Sequence, residues 1–259
     1  MHFRLLKKLT NKQKTIIMPS QIGSRMAFQN AANAVKRAGL NPGNAVLSQS
    51  YLRMEVPLVA SATSYKFDVL VNESVNGTIN TQQKLNLQDA FVANQVGFFL
   101  AVPTGSSDTT FRLLTYPAIN LSTSQIGTPP TFSVAQAVAA NSIYQGQMQL
   151  TVNQRTVITA WDLYRHLYIP QVQMNSGYIT TAAFAAPASD GSTKGHPFDD
   201  HTQGADYGFY PVEPNVVIAG NKKNDLTVVF PAGPSAVPTN SRLVCIWRGI
   251  LAQNVTPIN

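Results

Sequence analysis

The sequence predicts a mainly β protein, a jelly-roll-type antiparallel β-sandwich preceded by a basic arm and one helix. Three observations carry this. From about residue 50 onward, apolar and polar residues alternate with period two in roughly ten short runs separated by turn-forming residues. No helical pattern alternates with these runs, which excludes a parallel α/β sheet. Ahead of them, one stretch alone carries apolar residues at helical spacing. Ten strands suit a single elaborated jelly roll. A double one needs about sixteen, and the body holds that many only if its loops contain further short strands.

Residues 1–19 read as a basic arm. Phe3, Leu5, Leu6 and Leu9 make one weak amphipathic turn or two, with Lys7, Lys8, Lys12 and Lys14 around them, and Pro19 closes the segment. Residues 20–40 read as the N-terminal helix. Ala27, Phe28, Ala31, Ala34, Val35 and Ala38 recur at helical spacing. Ser20 or Ser24 can cap its start, Lys36 and Arg37 complement the dipole of its last turn, and Gly39 with Pro42 stops it. Its apolar face is built mostly of small side chains, which lets it lie close against the body or a neighbouring subunit.

Residues 41–259 form the sandwich body. Over 51–60, Leu52, Met54, Val56 and Leu58 alternate with Arg53, Glu55 and Pro57, the proline marking an edge position. Over 65–71, Tyr65, Phe67, Val69 and Val71 alternate with Lys66 and Asp68. A polar loop, 72–86, leads to 91–102, whose centre is apolar on both faces. Gly105-Ser106-Ser107-Asp108 turns that strand into a partner at 110–116. The loop 117–140 contains Gly127-Thr128-Pro129-Pro130 and an Ala-rich piece that reads as a short helix. Residues 147–158 are the clearest hairpin, turning at Asn153-Gln154-Arg155. Residues 161–169 are aromatic-rich and read as either a strand or a short helical turn. A loop-like stretch, 175–205, precedes strands at 207–219, 226–230 and 243–251.

Charge divides the chain unevenly. Residues 1–54 hold nine Lys and Arg and no acid, the first acid being Glu55. The rest holds ten Lys and Arg against twelve Asp and Glu, so the net charge of +7 is a cationic arm and helix on a nearly neutral body. Charged residues are only 12% of the whole, about half the usual globular share. Interface centres are depleted in charge, so such a body suits a surface covered by neighbours. The cations have three readings: a solvated tail, contact with a polyanion, or docking onto an acidic patch of a neighbouring subunit. For the second, the candidates are Arg4, Lys7, Lys8, Lys12, Lys14, Arg25, Lys36 and Arg37. They lack the aromatic interleaving of a single-strand binder and any base-reading motif, so contact is expected to phosphate charge.

Catalytic motifs are missing. There is no G-x-S-x-G elbow, no Walker loop, no dinucleotide fingerprint and no H-E-x-x-H, so a non-enzymatic protein without a cofactor is expected. Gly195-His196-Pro197-Phe198-Asp199-Asp200-His201 has metal-ligand residue types but lies among turn formers and reads as a surface loop. His166 reads as a packed histidine partnered to backbone or to Asp162. The lone Cys245, within Leu243-Val244-Cys245-Ile246-Trp247, excludes an intrachain disulfide and reads as a buried hydrophobe. No apolar run is long enough to cross a membrane, and Ile16-Ile17-Met18 is too short for a signal-peptide core. Tyr65, Phe67, Phe98, Phe99, Tyr116, Trp161, Tyr164 and Trp247 fall mostly on strand patterns and read as core, not as a carbohydrate platform.

The basic arm, the Ala-rich helix and the charge-poor body together resemble the jelly-roll capsid (coat) proteins of bacteriophages. Gln95-Val96-Gly97-Phe98-Phe99-Leu100-Ala101-Val102, Trp161-Asp162-Leu163-Tyr164-Arg165-His166-Leu167-Tyr168 and Tyr207-Gly208-Phe209-Tyr210-Pro211-Val212-Glu213-Pro214 are similar in texture to structural proteins of phages infecting Bacteroidota. The resemblance implies a self-assembling subunit of an icosahedral virion shell, made in the host cytoplasm, that trimerises and contacts other virion proteins. The arm then faces viral nucleic acid or anionic lipid. A virion decoration protein or a lectin-like receptor-binding module is the alternative, and a hydrolase using the His196–His201 loop a third.

Overall fold

The computed structural model of the chain describes residues 19–77, 79–103, 111–114, 141–166, 208–237 and 240–257. It contains helix α1 (Pro19–Arg37) and strands β1 (Leu40–Asn41), β2 (Val46–Pro57), β3 (Ser64–Phe67), β4 (Ala90–Pro103), β5 (Phe111–Leu114), β6 (Gln147–Val152), β7 (Arg155–Asp162), β8 (Phe209–Ala219), β9 (Asn224–Val229), β10 (Arg242–Gln253) and β11 (Thr256–Pro257). The expected turn at 105–108, the Ala-rich piece of loop 117–140 and the loop 175–205 lie outside the described residues.

All pairs among the described strands are antiparallel. β2 pairs β10, β3 pairs β9, β4 pairs β8 and β6 pairs β7. These four pairs are the rungs of one long ribbon, first strand with last and so on inward to the β6–β7 hairpin. Rolling the ribbon sets β10 beside β4 and β9 beside β6. Two sheets result, β2-β10-β4-β8 and β3-β9-β6-β7, with β5 continuing the first along the far end of β4. That connectivity is the eight-stranded jelly roll. The described strands therefore make one sandwich, of the class the alternating pattern predicts.

The core follows from that alternation. Leu52, Met54 and Val56 of β2, Phe98 and Leu100 of β4, and Cys245 and Trp247 of β10 point inward. They meet Phe67 of β3, Met148 and Leu150 of β6, and Leu226 and Val228 of β9 from the second sheet. Cys245 is fully buried, as expected, and its thiol is pushed well up by that burial. The first sheet is also apolar on its outer face, which explains why β4 lacks alternation. At one end Ala90, Val92, Ala219, Ile250 and Ala252 receive Ala31, Ala34 and Val35 of α1; at the other, Phe99, Ala101, Phe209 and Val244 form a second cluster. Gly249 sits where β10 shifts register against β4, and a Cβ there would run into the Val92 carbonyl.

Several expectations need correcting. The helix starts at Pro19, so Ser20 and Ser24 lie within it and neither stands at its N-cap. Proline's missing N–H and fixed φ suit a first helical turn. β3 stops at Phe67, well short of residue 71, because nearby carboxylates capture the next amides. Glu73 Oε2 accepts from Val69 N (2.7 Å) and Leu70 N (3.1 Å), which competes with the ladder. Residues 161–166 are both of the things proposed: Trp161 and Asp162 end β7, and Leu163–His166 is a 3-10 turn. Asn153 (φ 50°) and Gln154 (φ 64°) form a two-residue turn with positive φ at both positions, the type I′ geometry that matches strand twist.

Candidate polyanion-binding surface

Helix α1 places the described cations. Its apolar face is pinned to the outer face of the first sheet, with Ala31 and Val35 essentially inaccessible. At 100° per residue, Arg25 and Lys36 fall within about 20° of each other around the axis, and Arg37 about 100° further on. All three are exposed, and the helix contains no acid. Gly39, at φ 80°, ends it in a left-handed conformation. Lys222, from the turn joining β8 to β9, then donates from Nζ to the Ala38 carbonyl at 3.0 Å. It adds a fourth cation at the negative end of the helix dipole. Beside it, a groove of about 540 Å³ runs between α1 and β8, lined in part by Asn30, Arg37, Pro214 and Asn215. Cations with amide donors and no carboxylate can take phosphate oxygens through charge-assisted hydrogen bonds.

Of the predicted binding residues, Arg25, Lys36 and Arg37 lie together on this helix, while Arg4, Lys7, Lys8, Lys12 and Lys14 lie outside the described residues. Lys222 was missed. Its sequence signal is a Lys-Lys pair in a turn, and only the roll of the ribbon carries that turn to the helix end.

Most of the described acids of the body are occupied internally, which sharpens the asymmetry. Glu55 is wholly buried and accepts from Arg53 Nε at 2.7 Å and Arg242 Nη1 at 3.1 Å. Asp68 accepts the Val75 and Asn76 amides, with Lys84 Nζ at 3.5 Å. Asp89 accepts the Asn254 amide at 3.0 Å. Asp225 pairs with Lys66 at 2.6 Å and with Lys223 at 3.4 Å; the Lys66 hydrogen bond holds its carboxyl below the usual range. Among the described acids, Asp162 and Glu213 stay exposed, Glu213 beside Pro214 at the edge of that groove.

Other sequence candidates resolve differently. His166 is buried: Nε2 accepts from Trp161 Nε1 at 3.1 Å and Nδ1 lies 3.3 Å from the Gly208 carbonyl. The backbone partner was expected, but Asp162 is not a partner, because its carboxylate accepts the Tyr164 amide. Burial lowers the His166 pKa to about 3, with the backbone bond opposing and Arg165 assisting. Tyr65, Phe67, Phe98, Phe99 and Trp247 are core. Trp161 is partly buried, and the Arg165 guanidinium lies 4.3 Å over its ring. Tyr164 is exposed, and Tyr116 lies outside the described residues, as does the His196–His201 loop. Among the described residues no group of three or more His, Cys, Asp or Glu could hold a metal, and no helix is long and apolar enough to cross a membrane.

Set against known protein families, curated proteins and solved structures, the chain matches none.

Proposed function

We propose that this chain is a self-assembling, non-enzymatic shell subunit, a coat protein of the jelly-roll kind, whose N-terminal arm and α1 contact packaged nucleic acid. Jelly rolls serve shells, lectins and small-molecule sites alike, so the fold alone does not choose among them. The charge distribution supports the shell reading. A helix whose only charged side chains are cations lies along one sheet, continues a basic arm, and rides on a body whose described acids are mostly buried or paired. Lipid is the weaker polyanion. An interfacial helix needs its apolar face free to enter the headgroup region, and α1 has that face against Ala90, Val92 and Ile250.

The test is negative-stain microscopy with light scattering on the full chain and on a chain lacking residues 1–18, purified at low and high salt. Trimers or closed shells that carry nucleic acid, and lose it with the arm, are the expected result. A monomer at every concentration and salt sinks the reading. Assemblies that bind anionic vesicles but no oligonucleotide would move the arm to a membrane.

A further inference from the structure

The outer face of the first sheet is buried at both ends and open between them. At one end α1 lies against Ala90, Val92, Ile250 and Ala252; at the other, Phe99, Ala101, Phe209 and Val244 form a buried cluster. Between the two, one residue from each of four strands stands in a single row. Tyr51 of β2 pairs Arg248 of β10, Arg248 pairs Gln95 of β4, and Gln95 pairs Pro211 of β8. Directly paired residues share a face. Arg248 fixes which face, since it lies two residues from Ile250 and its guanidinium stacks on Phe209. Tyr51 is 51% exposed and Pro211 is exposed, while Arg248 and Gln95 are half-buried. Four strands spaced about 4.8 Å apart make the row about 14 Å long, from one edge of the sheet to the other.

The row combines a cation, an amide and an aromatic ring. Gly97 prepares it: a Cβ there would come within 2.8 Å of the Phe99 ring and 3.1 Å of the Phe209 ring, so glycine lets both rings lie against the sheet. Arg248 Cζ then rests 3.6 Å from the Phe209 ring centroid. A stacked guanidinium is held by its flat face, and its five N–H donors leave some for a phosphate beside any other contact. We infer that an unpaired nucleic-acid strand crosses the sheet along this row, one base stacked on Tyr51 and a phosphate on Arg248.

Charge and continuity select this occupant. The row adjoins the ground covered by α1, which carries Arg25, Lys36 and Arg37 and no acid. Glu55, four residues along β2 on the same face, is wholly buried and closed by Arg53 and Arg242. Glu213, exposed two residues beyond Pro211, repels phosphate at the β8 end and leaves the β2 side, with Tyr51, as the favoured one. A neutral glycan would leave these cations unused. Duplex DNA keeps its base faces stacked on one another, so only an unpaired base can lie on Tyr51. Stacking of this kind tolerates any sequence, because every base has a π-face. The N-terminal arm lacks interleaved aromatics; the sheet supplies one by bringing Tyr51 and Arg248 together from opposite ends of the chain. The inference rests on the nucleic-acid part of the shell reading and narrows that contact to single strands.

The experiment is fluorescence anisotropy on the full chain with labelled oligothymidylate and with a dT·dA duplex of the same length, thermal melts confirming that each variant folds. Tyr51→Ala is expected to weaken single-strand binding by about tenfold, to leave duplex binding and the salt slope unchanged, and to be rescued by Tyr51→Phe. Arg248→Gln should flatten the single-strand salt slope by about 0.7, and Arg248→Lys should keep it. In Tyr51→Trp, oligothymidylate should quench the emission of the new indole, seen as the difference from wild type. Wild-type affinity in Tyr51→Ala, or no quenching in Tyr51→Trp at saturation, overturns the row while leaving the arm and α1 as the nucleic-acid contact. An equal loss of duplex binding in Tyr51→Ala also overturns it, since a duplex offers that ring no base. A wild type that binds neither oligonucleotide overturns both readings.

Discussion

His166 shows how a single side chain ties the sandwich to pH. It is held neutral between Trp161, which donates to it, and the Gly208 carbonyl, with Phe98 and Tyr210 packed edge-on against its ring. In the unfolded chain the imidazole titrates near 6.5; in the fold it stays neutral down to about 3, chiefly because burial disfavours the cation. Between those limits the unfolded chain binds the extra proton, so acid favours unfolding. The contribution is fully present above pH 6.5 and fades as pH falls through that value toward 3. Lowering the pH from 7.5 to 5 should cost about 2 kcal/mol from this group alone. His166→Gln should lose that increment while keeping the remaining acid dependence. Urea unfolding of both proteins at the two pH values checks this; an equal loss in the variant would assign the pH dependence to other groups. Nothing in Tyr164-Arg165-His166-Leu167 announces the arrangement, because Gly208 is remote in sequence and a partner search along the local chain stops at Asp162.

At the scale of elements, α1 is where small side chains matter most. Ala31 is 1% exposed against the outer face of the first sheet. Ala31→Leu has no room without lifting the helix, and overpacking of this kind costs about 1–3 kcal/mol. A lowered urea midpoint with an unchanged slope is the expected outcome; an unchanged midpoint would mean that α1 is not held as described. This helix was legible because six apolar residues keep its period. The core strands were legible because burial on one face imposes period two, as in Leu52, Met54 and Val56. What escaped was set by distant partners. β1 and β11 are two residues each, too short for any periodicity, and exist because Leu40 meets Pro257 and Asn41 meets Thr256. β3 ends early because Glu73 reaches back to two amides. The pairing order is likewise invisible locally, since nothing in Arg242–Gln253 says that it lies between β2 and β4.

For the whole molecule, the decisive feature is how charge is partitioned between the cationic N-terminal part and the near-neutral body. Each phosphate neutralised on a single strand contributes about 0.7 to the slope of log affinity against log salt, and about 0.9 on duplex DNA. Removing residues 1–18 deletes Arg4, Lys7, Lys8, Lys12 and Lys14, so the single-strand slope should flatten by up to about 3.5. Replacing Arg25, Lys36 and Arg37 together by Gln should flatten it by up to about 2, without unfolding the chain, since all three are exposed. Fluorescence anisotropy with a labelled oligonucleotide from 50 to 300 mM salt reads both numbers. Because the contacts are to phosphate and not to bases, the losses should be alike for oligonucleotides of different sequence. Flattening by both changes in sum would make arm and helix one continuous phosphate track. Flattening by the deletion alone would leave α1 as the anchor that fixes the arm to the body. A slope that neither change moves would remove nucleic acid from the reading, leaving the cations of α1 to meet an acidic patch on a neighbouring subunit.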